Sequence, residues 1–119
     1  MQPLLLCIGM DQNKLMRISF IAAGLGIRVK VVAPEDWGQP LGALCGLDAP
    51  ASGPAMDRVQ EAMLVMAFFN SALMDQMLGE LRTNGQTVRL KAVLTSHNRN
   101  WTCGTLCRHL SLEAAQMGR

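Results

Sequence analysis

Two uninterrupted apolar runs, Leu4-Leu5-Leu6-Cys7-Ile8 and Met63-Leu64-Val65-Met66-Ala67-Phe68-Phe69, limit what this chain can become. Such a run has no polar side to offer water, so as a strand it must be covered on both faces. Each run is followed by the same series. A polar turn comes first, then an amphipathic helix, a glycine, and a second strand that partly alternates polar with apolar, at Arg28–Val32 and at Val88–Leu94. The pattern predicts two β-α-β halves, about residues 3–47 and 62–117, with the apolar runs as inner strands and the alternating ones outside. Asp11 can cap a helix carrying Leu15, Ile18, Ala22 and Leu25, which Gly24 and Gly26 end. Asn70 or Ser71 can cap another with Leu73, Met74, Met77, Leu78 and Leu81, ended by Asn84-Gly85. Thr102 can cap a C-terminal helix in which Cys103, Leu106, Cys107, Leu110 and Ala114 share one face. A short helical turn is expected after Pro40, with Leu41, Leu44 and Cys45 inward.

The fold class expected is α/β. It is a four-stranded parallel or mixed sheet with helices on both faces and a C-terminal helix, because the stretch between the second and third strands is long enough for a crossover. A ferredoxin-like α+β sheet is the alternative, since it too centres the first and third strands. The halves share Arg-apolar-Lys-x-Val at Arg28–Val32 and Arg89–Val93. Each also has a Trp ahead of Gly-x-Leu-Cys, as Trp37 with Gly42–Cys45 and Trp101 with Gly104–Cys107, which suggests an internal repeat. Residues 48–61 join the halves, and Asp48–Pro54 is rich in chain breakers. They make one domain over residues 1–119, because neither half could bury a two-stranded sheet alone.

Half of the 119 residues are hydrophobic and 17% are charged, enough apolar surface to offset chain entropy. The longest apolar stretches fall far short of the roughly 20 residues of a membrane helix. No Lys or Arg precedes the first of them, so a cytoplasmic protein without a secretory leader is expected. The cysteines, Cys7, Cys45, Cys103 and Cys107, sit inside apolar periodic segments and read as reduced core residues. A formal charge of +2 gives no strong overall field, although Arg82, Arg89, Lys91, Arg99 and Arg108 make residues 81–112 locally basic. With no Tyr and 4% aromatic residues, base-stacking surfaces are poorly supplied, so a nucleic-acid partner is not expected. Neither a phosphate-cradling glycine loop nor a nucleophile elbow follows a strand, and no cofactor is expected.

The polar segment Thr95-Ser96-His97-Asn98-Arg99-Asn100-Trp101 follows the last strand, and Pro34-Glu35-Asp36-Trp37-Gly38-Gln39-Pro40 follows the second. Ligands in open α/β sheets bind beyond the carboxyl ends of strands. Parallel outer strands would bring both segments to one rim, with Asp36, Asn98 and Trp101 close together. Glu35, Asp36, Gln39, Thr95, His97, Asn98, Arg99 and Trp101 are therefore the candidate ligand-binding residues of a non-enzymatic module. Its ligand would be a small polar or anionic molecule or a protein partner, and the module could act as a homodimer. Two other readings exist. An enzyme could use Asp36 and His97 as an acid/base pair, and a thiol or metal regulator could use Cys103 and Cys107. Against the metal, those cysteines lie on an apolar helix stripe rather than on paired turns, so no metal site is expected.

The stretch Leu90-Lys91-Ala92-Val93-Leu94-Thr95 with Asn98 and Trp101-Thr102 resembles an uncharacterised family of small bacterial proteins known only as a domain of unknown function. Leu25–Val29, Glu35-Asp36 with Gln39–Gly42, and Met63–Met66 resemble that family's other recurrent stretches. The resemblance spans nearly the whole chain except the loop near Pro50–Pro54. It implies no activity, cofactor or catalytic residue.

Overall fold

The computed structural model describes residues 1–51 and 57–117. Its elements run β1 (Leu4–Ile8), α1 (Gln12–Gly24), β2 (Arg28–Val32), a 3-10 turn at Pro34–Asp36, α2 (Leu41–Leu44), β3 (Met63–Ala67), α3 (Ser71–Thr83), β4 (Leu90–Val93) and α4 (Cys103–Met117). The strands form one sheet in the order β2-β1-β3-β4. Within each half the strands are parallel, whereas β1 and β3 meet antiparallel, with Leu6 opposite Val65 at the middle of the ladder. The sheet is thus the mixed one of the expected alternatives. The ferredoxin-like arrangement, in which the strands of a β-α-β unit are not neighbours, is not adopted.

The inner strands behave as their composition requires: all five residues of β1 and all five of β3 are buried. Successive side chains alternate between two layers. Leu4, Leu6, Ile8, Met63, Val65 and Ala67 face α2 and α4, and pack with Leu41, Leu44, Cys103 and Leu106. Leu5, Cys7, Leu64 and Met66 face α1 and α3, and pack with Ile18, Ala22, Met77 and Leu81. Four strands alone would leave both apolar faces wet, and helices on each side give a three-layer α/β/α domain.

Local signals fix the ends of the helices. Asp11 Oδ1 accepts from the Lys14 amide and Asn70 Oδ1 from the Leu73 amide, each at 2.8 Å. Thr102 Oγ1 accepts from the Thr105 amide at 3.2 Å. Gly26 and Gly85, at φ 73° and 67°, turn the chain out of α1 and α3. Each inner strand also ends on a left-handed residue, Gly9 at φ 67° and Phe68 at φ 65°. The conformation is free for glycine but costs about 1–2 kcal/mol for phenylalanine. Packing of Phe68 against the α2/α4 layer offsets that cost.

Two expectations need correction. The run Val88–Leu94 pairs as a strand only over Leu90–Val93, although the Leu94 amide still donates to the Met66 carbonyl at 2.9 Å. The outer strands are not parallel to each other: β2 follows β1, β4 follows β3, and the inner pair is antiparallel. A continuous apolar run looks alike from either end, so its composition carries no information about strand direction. The breaker-rich Ser52–Pro54 lies outside the described residues.

Candidate functional site

Because the outer strands run oppositely, the segments after β2 and β4 start from opposite ends of the sheet. They meet all the same, by crossing the α2/α4 face toward each other. The Leu41 amide donates to the Trp101 carbonyl at 2.9 Å, the Gly42 amide to the Arg99 carbonyl at 2.7 Å, and the Cys103 amide to the Trp37 carbonyl at 2.9 Å. Leu41 and Cys103 are the first residues of α2 and α4. Each of these helices thus has an otherwise unpaired N-terminal amide satisfied by the tryptophan carbonyl of the other half.

Several of the expected ligand-binding side chains are engaged within this lacing. Asn98, 8% exposed, accepts from the Thr95 amide and donates to the Val93 carbonyl, both at 2.9 Å. Its own amide donates to Thr95 Oγ1 at 3.2 Å. Gln39 both donates to the Ala51 carbonyl and accepts from the Ala51 amide. Arg99 forms a two-pronged pair with Asp48, at 3.1 and 2.6 Å. That pairing lowers the Asp48 carboxyl below its ordinary value and raises the Arg99 guanidinium. Trp101 stacks on His109 with ring centroids 4.1 Å apart and meets His97 edge-on at 5.3 Å. Glu35 and Asp36 stand exposed on the 3-10 turn. The reason for pairing Asp36 with His97, a rim made by parallel outer strands, is absent.

Two close approaches hold the lacing shut. An added Cβ at Gly42 would collide with the Asp48 carboxylate and lie 3.2 Å from the Arg99 carbonyl. One at Gly104 would collide with the Asp57 carboxylate. That carboxylate accepts from the Thr102 hydroxyl and, at 3.0 Å, from the Gly104 amide, which places a negative charge on the N-terminus of α4. Burial pushes the Asp57 carboxyl up. The hydrogen bonds from Thr102, Arg58 and Gly104, with the charge of Arg108, outweigh it and leave the group below its ordinary value.

The cysteines are all free and buried. Burial pushes the Cys7 thiol up to about 12. Cys103 also reaches about 12 through burial, with the charges of Asp57 and Asp36 adding to it. Burial raises Cys45 to about 11 against the opposing charge of Lys30. A thiol is nucleophilic as its thiolate, so these three are expected to resist iodoacetamide at pH 8 in the native protein and to react fully in denaturant. Peptide mapping checks this, and prompt native labelling of Cys103 would contradict the burial described. No group of three or more potential metal ligands occurs among the described residues.

A cleft of about 500 Å³ opens between the segment leading into β3 and one flank of α4, lined by Arg58, Gln60, Cys107, Arg108, Ser111 and Leu112. Arg108, Ser111 and Leu112 share one helix face by their spacing of three and four. Arg108 donates to Thr105 Oγ1 at 3.0 Å. Among the described residues, the ion pairs are Arg89 with Glu61 and Arg99 with Asp48, so neither Arg58 nor Arg108 is in one, although Arg108 is near enough to Asp57 for its charge to act there. Arg58 lies in the joining segment, outside any periodic element, so local pattern does not mark it. The i, i+3, i+4 grouping on α4 is the signal that could have marked the other side of the cleft.

Fold and lacing together define a three-layer α/β/α protein made of two interlocked β-α-β units. Residues 62–117 match a family model described as a domain of unknown function, DUF3783, so the resemblance to an uncharacterised family holds over β3 through α4. No curated protein and no solved structure matches the chain. No helix among the described residues is long and apolar enough to cross a membrane.

Proposed function

We propose that this protein is a small binding module for an organic anion, a carboxylate or phosphate on a short apolar body, held in the cleft between Arg58 and α4. The observation that carries this reading is the pair of guanidiniums on the cleft lining, Arg58 and Arg108, neither in an ion pair among the described residues. A guanidinium presents forked donors that fit the oxygens of either anion. Gln60 and Ser111 add neutral polar groups, while Cys107 and Leu112 give the cleft an apolar side. Few polar groups around an apolar floor are what small-molecule sites use to fix orientation. The sequence motivates an anionic ligand at Arg99. The fork of Arg99 is already filled by Asp48, whereas Arg58 and Arg108 line the cleft outside any ion pair among the described residues, Arg108 giving one donor to the Thr105 hydroxyl.

Calorimetric titration with inorganic phosphate and with short-chain carboxylates tests the reading. Arg58→Ala and Arg108→Ala are each expected to weaken binding about 10- to 100-fold, the worth of one charge-assisted hydrogen bond. Binding should also weaken with added salt. No heat with any of these anions, or an affinity in both variants unchanged from the wild type, would remove the proposal.

A further inference from the structure

We propose that the solvent side of α1 joins two copies of this chain across a two-fold axis, with Phe20 as the anchor. On α1, Ile18 and Ala22 turn inward to the sheet. Phe20 lies two residues from Ile18, roughly 200° around the helix, and so points the opposite way. It is 83% exposed and Met16, one turn earlier, is 63% exposed. Two large apolar side chains adjacent on one helix face form a continuous patch rather than scattered surface residues.

The ground around Phe20 is shaped and charged for its own copy. A depression of about 370 Å³ is lined by Met16, Arg17, Phe20, Ile21, Asn84 and Gln86. A second, of about 320 Å³, is lined by Phe20, Ile21, Gly24, Leu25, Glu80 and Asn84. The first holds Arg17, toward the N-terminal end of α1, and the second holds Glu80, toward its C-terminal end. Neither is in an ion pair among the described residues. An isologous interface must be its own complement. Laying α1 antiparallel on the α1 of a second copy, with the axis near Phe20, exchanges the two ends. Arg17 then faces the partner's Glu80, and Glu80 faces the partner's Arg17. The same operation sets Phe20 against the partner's depression. A patch carrying a single sign of charge would repel its copy, and this one attracts it.

Sedimentation equilibrium of the full chain over a wide concentration range is the test, with circular dichroism to confirm folding. The wild type is expected to dimerise, and Phe20→Glu to raise the dissociation constant about 100-fold or more, as for the loss of an interface anchor. Arg17→Glu and Glu80→Arg should each weaken the dimer about 10-fold by setting like charges together, and the double reversal should restore it. Rescue by the double variant distinguishes this face from any other dimer surface. A wild type that stays monomeric overturns the proposal, and this is the result if the face serves a different protein. A dimer indifferent to Phe20→Glu, or a double reversal no tighter than the singles, also overturns it. Anion binding at Arg58 and Arg108 is read separately and does not bear on the outcome.

Discussion

Leu6→Ala is expected to lower the free energy of unfolding by about 3–5 kcal/mol, measured by chemical denaturation. Leu6 sits at the middle of β1, wholly buried, opposite Val65 on the face covered by α2 and α4. Its removal strips contacts from the sheet and a helical layer at once, and the close-packed strands on either side cannot slide in to fill the space. The control is Val31→Ala on edge strand β2, where the side chain is 56% exposed and the loss should stay under about 1 kcal/mol. Equal losses at the two sites would mean that the inner ladder is not the centre of the core.

Gly42→Ala is expected to cost about 2–3 kcal/mol, more than helix propensity alone would suggest, since alanine is the better helix former. The new methyl has nowhere to go. It meets the Asp48 carboxylate on one side and the Arg99 carbonyl, which is fixed backbone, on the other. The variant should also have an altered acid limb. Burial opposes ionisation of Asp48, but the hydrogen bond from Arg99 is the larger influence and holds the folded carboxyl below its ordinary 3.8. A depressed carboxylate stabilises the fold above its unfolded pKa, and that stabilisation fades as pH drops through 3.8 toward the folded value. The wild type should therefore lose stability below about pH 4.5, with Asp57 and Glu61, both lowered, contributing in the same direction. If Gly42→Ala pries Asp48 from Arg99, its stability should fall less steeply over that range. An acid limb identical to the wild type's would show that the pair survives the methyl.

Composition foretold the layering well and the directions badly. Leu4–Ile8 and Met63–Ala67 could be placed inside because nothing in them tolerates water, and Asp11, Asn70 and Thr102 all cap the helices assigned to them. The antiparallel meeting of β1 and β3 left no trace, because either direction buries the same side chains. The reach of Arg99 to Asp48 spans 51 residues, a distance over which local pattern is silent. Arg99 therefore looked like an open fork. Phe20 was legible in principle, since its place opposite Ile18 follows from helical period alone. The inward stripe of α1 by itself does not mark it, because that stripe says only which residues meet the sheet.

The antiparallel β1–β3 ladder bears on what residues 62–117, the span of the family match, can do by themselves. Cut out of this chain, that span would expose the whole β1-facing edge of β3, whose residues Met63–Ala67 are all buried here. It would also lose the Trp37 carbonyl that receives the first amide of α4. A β-α-β-α fragment with a bare apolar edge seeks a replacement strand from whatever chain is nearest. The excised span is therefore a template for strand exchange and aggregation rather than a free-standing fold, and in this protein β1 is the built-in strand that satisfies it.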